Sequence, residues 1–177
     1  AETQSMFMDN IFASIEWKTR YAKNKEGKAY PFELFERKLE KLHVFSPLRM
    51  MGIMSVMNFE REIYGSKKLT REKVMAIARK TSNKFSAFNH NSLGLLNVPH
   101  IYSWESACSY HGYGLAELAL SQWREHFFQK YGYIVDNPHI AKDAMKVWTL
   151  GMSKTFPEFV KMATGKNLSP NAFIKSV

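Results

Sequence analysis

The sequence predicts an all-α fold of seven or eight helices, and three observations carry that prediction. Apolar residues recur at the three- and four-residue spacing of a single helix face through most of the chain. Helix-opening residues (Ser, Thr or Asn, often followed by Pro) and helix-stopping glycines alternate along it. No stretch alternates apolar and polar residues as a half-buried strand would, and no internal repeat or low-complexity tract interrupts the pattern.

The first segment, residues 2–24, carries Met8, Ile11, Phe12 and Ile15 at helical spacing, with Gly27 beyond it. Met6, Phe7 and Trp17 extend the apolar coverage around most of the circumference, so a largely buried helix is expected. Pro31 opens a second helix with Phe32, Phe35, Leu39 and Leu42 on one face. Ser46-Pro47 reads as the cap and first turn of a third, which runs through Met51, Met54 and Phe59 towards Gly65. Thr70 caps a fourth carrying Val74, Ile77, Ala78 and Phe85. The stretch SAFNHNSLGLLNVPHIYS, 86–103, has no clear period and is predicted to be a functional loop rather than a plain connector. A helix from near Ser103 to Tyr131 is stopped by Gly132, and Asn137-Pro138 opens the next, with Ile140, Met145 and Trp148 inside and Gly151 after it. Ser153 caps a short helix through Phe156, Phe159 and Val160 to Gly165, with Pro157 in its first turn. Ser169-Pro170 opens the last.

Composition bounds what these helices build. The chain has 177 residues, 45% of them hydrophobic, enough for one sizeable core, so residues 1–177 are expected to form a single domain. Its one cysteine, Cys108, excludes an intrachain disulfide and suits a reducing, cytoplasmic setting. No apolar run is long enough to cross a membrane, and no secretory pattern opens the chain, so no membrane partner is expected. The formal charge of +9 raises nucleic acid or an acidic surface as a partner. The basic residues, among them Lys18, Arg20, Lys67 and Arg71, are spread over the solvent sides of the predicted helices, and no nucleic-acid motif accompanies them. Nucleic acid is therefore not the expected partner.

No phosphate-binding glycine loop, nucleophile elbow, paired zinc cysteines or H-E-x-x-H occurs in the chain. Cys108 has only His111 near it in sequence and reads as a small buried residue rather than a nucleophile. Two stretches stand apart. Glu2, Ser5 and Asp9 share a narrow stripe of the first helix, where a carboxylate is costly to bury unless it is paired, hydrogen-bonded or bound to a metal. The plainer alternative is a frayed end for Glu2 and an arginine partner for Asp9. In PHIYSWESACSYHGYGLA, 99–116, His100 and Tyr102 lie in the loop, while Tyr110, Tyr113 and Glu117 fall at i, i+3 and i+7 of the following helix. Gly112 and Gly114 each cost about 1 kcal/mol relative to alanine inside a helix. Either they let a ligand approach the backbone, or they allow close helix packing with the tyrosine hydroxyls at the rim. Both readings stand on the residues alone.

The stretches AETQSMFMD, PHIYSWESACSYHGYGLAELA, KYGYIVDNP and GMSKTFPEFVKMATGKNLSPNAFI resemble the C-terminal part of the zinc metallopeptidase family that contains thimet oligopeptidase and oligoendopeptidase F. The resemblance covers essentially the whole chain. It implies an all-α catalytic half with a deep substrate channel, hydrolysing peptide bonds in short peptides with zinc as cofactor. By the same resemblance Glu2 is the third zinc ligand, and Asp9, at i+7, is an acid beside the metal site. His100, Tyr110 and Tyr113 contact the substrate backbone and the oxyanion, and Tyr102, Gly112 and Gly114 lie along the bound peptide. Such chemistry needs donors where negative charge develops on the attacked carbonyl, which gives the histidine, tyrosines and glycines a shared cause. Glu105 and Ser106 depart from the pattern, since some members carry another tyrosine there, and His111 receives no role.

The family's H-E-x-x-H is expected upstream of Ala1. The chain is thus expected to be part of a longer peptidase whose upstream half is its partner, and to be inactive and without tightly bound zinc by itself. Without that half, the apolar surface around Met6, Phe7 and Trp17 is expected to be exposed. The rival reading is a non-catalytic basic helical module that binds an acidic partner.

Overall fold

A computed structural model describes residues 2–87 and 92–177. Of the predicted loop at 86–103, residues 88–91 lie outside the described residues. The described residues form eight α-helices and two short 3₁₀ turns; their one β feature is an isolated antiparallel bridge between Lys23 and Ala29. The predicted all-α class holds. No described helix is long and apolar enough to cross a membrane. The chain divides into two compact units, residues 1–41 with 116–177, and residues 42–115.

The predicted first helix is two, α1 (Glu2–Ala13) and α2 (Ile15–Tyr21). Ser14 separates them: its hydroxyl donates to the Ile11 carbonyl at 2.6 Å and accepts the Trp17 N–H at 3.2 Å. A serine side chain that competes with the backbone ladder in this way ends one helix and caps the next. The predicted second and third helices are instead a single 33-residue α3 (Phe32–Tyr64) with Pro47 inside it. An internal proline removes one backbone bond and clashes with the preceding turn, a cost of about 3 kcal/mol. Burial of Ile53, Val56, Phe59 and Ile63 downstream offsets it.

Thr70 caps α4 (Arg71–Lys84) as expected, accepting the Lys73 N–H at 3.3 Å. The 3₁₀ turns Gly94–Asn97 and Pro99–Tyr102 follow. Helix α5 (His111–Tyr131) starts later than the predicted Ser103, because Cys108 has φ 61°, a left-handed conformation that a right-handed helix cannot contain. Gly132, at φ 76°, stops it as predicted. Asn137 caps α6 (Pro138–Trp148) through the His139 N–H at 3.1 Å. The cap of α7 (Phe156–Thr164) is Thr155 rather than Ser153: Glu158 accepts the Thr155 N–H at 2.8 Å, completing a capping box. The last helix, α8 (Asn171–Ser176), opens after Ser169, whose hydroxyl accepts the Asn171 N–H at 3.2 Å.

In the first unit, α5 brings Leu120, Trp123 and Phe127 together with Phe7 and Ile140. Trp123 is fully enclosed, with Phe7 edge-on at 5.8 Å between ring centroids and Phe159 stacked at 5.8 Å. This corrects two expectations. Phe7 is only 2% exposed, covered by its own unit, and Met6 and Trp17 are half-buried. Conversely, α1 is not largely buried, since Thr3 and Phe7 are its only buried residues while Met8 and Phe12 face solvent. Gln122, also buried, donates to Thr164 Oγ1 at 3.0 Å and accepts the Ser169 N–H at 3.0 Å, tying the chain after α7 to α5.

Asp143 on α6 gathers the polar contacts of the same unit. Its carboxylate accepts from Lys130 Nζ at 2.6 Å, from Lys146 Nζ at 2.8 Å and from the Tyr131 hydroxyl. Those donors, Lys130 foremost, hold the Asp143 carboxyl well below the usual carboxylate range. A carboxylate depressed in the folded state contributes stability that is present above its unfolded value and lost as the pH falls through its folded value. Asp143→Asn is therefore expected to lower the unfolding temperature near neutral pH, and the gap to wild type is expected to close in strong acid. Thermal unfolding of both proteins across that range checks it; a gap of constant size would refute the linkage.

The second unit has its own core. Val56, Phe59 and Ile63 of α3 pack with Ile77 and Ala78 of α4 and with Leu95 and Ile101 of the 3₁₀ turns. Tyr110 lies against this cluster.

Candidate active site

Three of the residues singled out in the sequence meet in the second unit. Pro99 opens the 3₁₀ turn that carries His100, Tyr110 immediately precedes α5, and Tyr113 sits in its first turn. His100 Nε2 lies 3.1 Å from the Tyr113 hydroxyl. The His100 ring is edge-on to Tyr110 at 5.2 Å and to Tyr113 at 5.6 Å, and the two tyrosine rings are 5.1 Å apart. All three side chains are half-buried and line a cavity of about 740 Å³. Its other walls include Arg49, Ile53 and Val56 of α3 and Phe85, Leu95 and Val98.

The arrangement provides hydrogen-bond donors on a largely apolar wall. Either sense of the His100–Tyr113 bond fits the geometry. With Nε2 deprotonated, the phenol donates to the imidazole. With Nε2 protonated, the imidazole donates to the phenol oxygen, and the phenol proton turns to another acceptor.

The remaining expectations fall elsewhere. Gly114 belongs to packing: a Cβ there would lie 3.3 Å from Ile53 Cγ2 and 3.9 Å from Met50 Sδ, so the glycine lets α5 approach α3 closely. A Cβ on Gly112 would meet nothing within 4 Å. Tyr102 is exposed and donates its hydroxyl proton to the Leu96 carbonyl at 2.8 Å. None of these three residues lines the cavity. Cys108 is exposed rather than buried, which corrects its reading as a small core residue. Desolvation and then the Glu60 carboxylate push its thiol up, so it stays protonated at neutral pH and is no activated nucleophile.

Glu2, half-buried, starts α1, and Asp9, exposed, lies on the same helix; both belong to the first unit. Among the described residues no group of three or more His, Cys, Asp or Glu could hold a metal ion. Catalytic zinc takes three protein ligands as a rule, so the described residues do not complete such a site by themselves.

Two residues near the cluster escape a sequence reading. Glu60, buried on α3, accepts the Cys108 N–H on Oε1 at 3.0 Å. Tyr64 donates its hydroxyl proton to the Ile101 carbonyl at 2.7 Å. The one available signal is an acid at position 60 beside the core residues Val56, Phe59 and Ile63.

The second unit thus sets a histidine and two tyrosines side by side on a largely apolar cavity wall. The sequence model of peptidase family M3 matches residues 1–177, and the chain belongs to that family. Its members are zinc-dependent metallopeptidases. No curated protein and no solved structure gives a significant match.

Proposed function

We propose that the chain forms the part of a zinc-dependent oligopeptidase that supplies substrate and oxyanion contacts. The observation that carries this reading is the contact of His100 Nε2 with the Tyr113 hydroxyl at 3.1 Å, with Tyr110 beside it, on the cavity wall. In this reading a short peptide lies along the cavity with its scissile carbonyl at Tyr110 and Tyr113. Their hydroxyls donate to the carbonyl oxygen as charge builds on it, and His100, with Nε2 protonated, donates to the Tyr113 oxygen and so keeps that hydroxyl proton turned toward the carbonyl. Gly112 and Tyr102, which do not line the cavity, meet the peptide only where it runs past the cavity, the open space at Gly112 leaving room beside the first turn of α5. Glu2 supplies one zinc ligand and Asp9 a neighbouring acid, the other ligands coming from an upstream half of the same polypeptide.

The test uses the polypeptide that carries an H-E-x-x-H segment ahead of this chain. It is expected to cleave quenched peptides in a chelator-sensitive way, and Glu2→Gln is expected to lose bound zinc without unfolding. The 177-residue chain by itself is expected to be inactive. Full zinc occupancy in Glu2→Gln, or chelator-sensitive cleavage by the chain alone, would overturn the assignment.

A further inference from the structure

We infer that Glu60 and Tyr64, one turn apart on α3, are positioning residues that grip the two ends of the loop between His100 and Tyr110 and so set the spacing of the three donors. The catalytic consequence rests on the proposed function; the mechanical one does not.

Positions i and i+4 of a helix lie on one face. Here both reach the same loop. Tyr64 holds the carbonyl of Ile101, the residue after His100, and Glu60 holds the N–H of Cys108, just ahead of Tyr110. Glu60 is 3% exposed, and a carboxylate is expensive to bury without charge-assisted hydrogen bonds, so its presence among Val56, Phe59 and Ile63 calls for a partner. The Cys108 amide is that partner, at the one residue of the loop with left-handed φ.

Between the two anchors the loop has little burial of its own to fix it. Tyr102, Trp104 and Glu105 are exposed, Trp104 at 99%, and apart from the Tyr102 hydroxyl bond to the Leu96 carbonyl the bonds are short-range ones such as Ala107 N–H to the Ser103 carbonyl. A segment with few buried contacts takes its position from its ends. Glu60 does not line the cavity, so its effect reaches substrate only through the loop.

The test pairs a structural readout on the chain as it stands with kinetics on the full-length peptidase. Glu60→Leu removes one anchor. Tyr64→Phe, at a side chain 51% exposed, removes the other while keeping the ring and so tests the idea even where Glu60→Leu folds poorly. Amide exchange at Cys108 is expected to rise about tenfold in Glu60→Leu, and the His100 ring resonances are expected to shift in both variants. In the peptidase, kcat is expected to fall about tenfold or more with KM nearly constant. Glu60→Gln, which keeps an acceptor at the same place, is expected to recover most of the loss.

Unchanged exchange and unchanged His100 resonances in both folded variants would overturn the inference whatever the kinetics. So would a loosened loop with normal kcat, provided Tyr113→Phe impairs kcat in parallel. Should Tyr113→Phe leave kcat intact as well, the oxyanion role of the cluster falls, and the exchange and resonance data alone decide whether Glu60 and Tyr64 hold the loop.

Discussion

In a polypeptide that carries an H-E-x-x-H segment ahead of this chain, the proposed oxyanion role predicts that Tyr113→Phe and Tyr110→Phe each lower kcat about a hundredfold. In that proposed role the hydroxyls act on charge that exists only in the transition state, so KM is expected to change little. Phenylalanine keeps the ring contacts at 5.1–5.6 Å within the His100, Tyr110 and Tyr113 cluster, so thermal stability is expected to hold. Tyr113 carries the additional bond to His100. Steady-state kinetics, with an unfolding curve for each variant, separates a chemical role from a packing one. Variants that unfold early at near wild-type kcat/KM would make the tyrosines packing residues and remove the chemical role of the cluster.

The largest effect on stability is expected at Trp123. Its ring is fully enclosed and touches Phe7, Phe127, Trp148 and Phe159, so Trp123→Ala leaves a cavity that no single neighbour can fill. The expected cost is about 3–5 kcal/mol, as for other buried aromatic truncations. Trp104→Ala, at a side chain 99% exposed, is the matched control and is expected to change stability by less than about 0.5 kcal/mol. Denaturant unfolding of both variants checks the contrast. A loss under about 1 kcal/mol at Trp123 would mean that the aromatic cluster is not the centre of its unit.

Helix class and most helix ends were legible in the sequence because capping is a local matter. Thr70 and Asn137 at the starts, and Gly132 and Gly165 with positive φ at the ends, act within a turn of where they stand. The errors came where a local signal lost to something wider. Ser46-Pro47 has the look of a helix start, yet burial of the residues beyond it keeps α3 continuous. Ser14 has no proline or glycine beside it, and only its hydroxyl bonds reveal the break. Of the site, His100, Tyr110 and Tyr113 could be named in advance because a family resemblance and a helical spacing pointed to them. Glu60 and Tyr64 could not, since their partners lie 48 and 37 residues away and no periodicity records a bond of that length.

The left-handed Cys108 has a practical consequence. It is the single cysteine of the chain, its thiol is exposed, and only its backbone N–H is engaged with Glu60. A spin label or fluorophore attached to that sulfur would therefore report on the His100–Tyr110 loop from within, with no engineered cysteine and no competing thiol in this chain. Because the thiol is pushed up, maleimide coupling is expected to proceed slowly at neutral pH and faster in mild alkali. The loop thus comes with its own attachment point for watching whether it moves when a peptide binds.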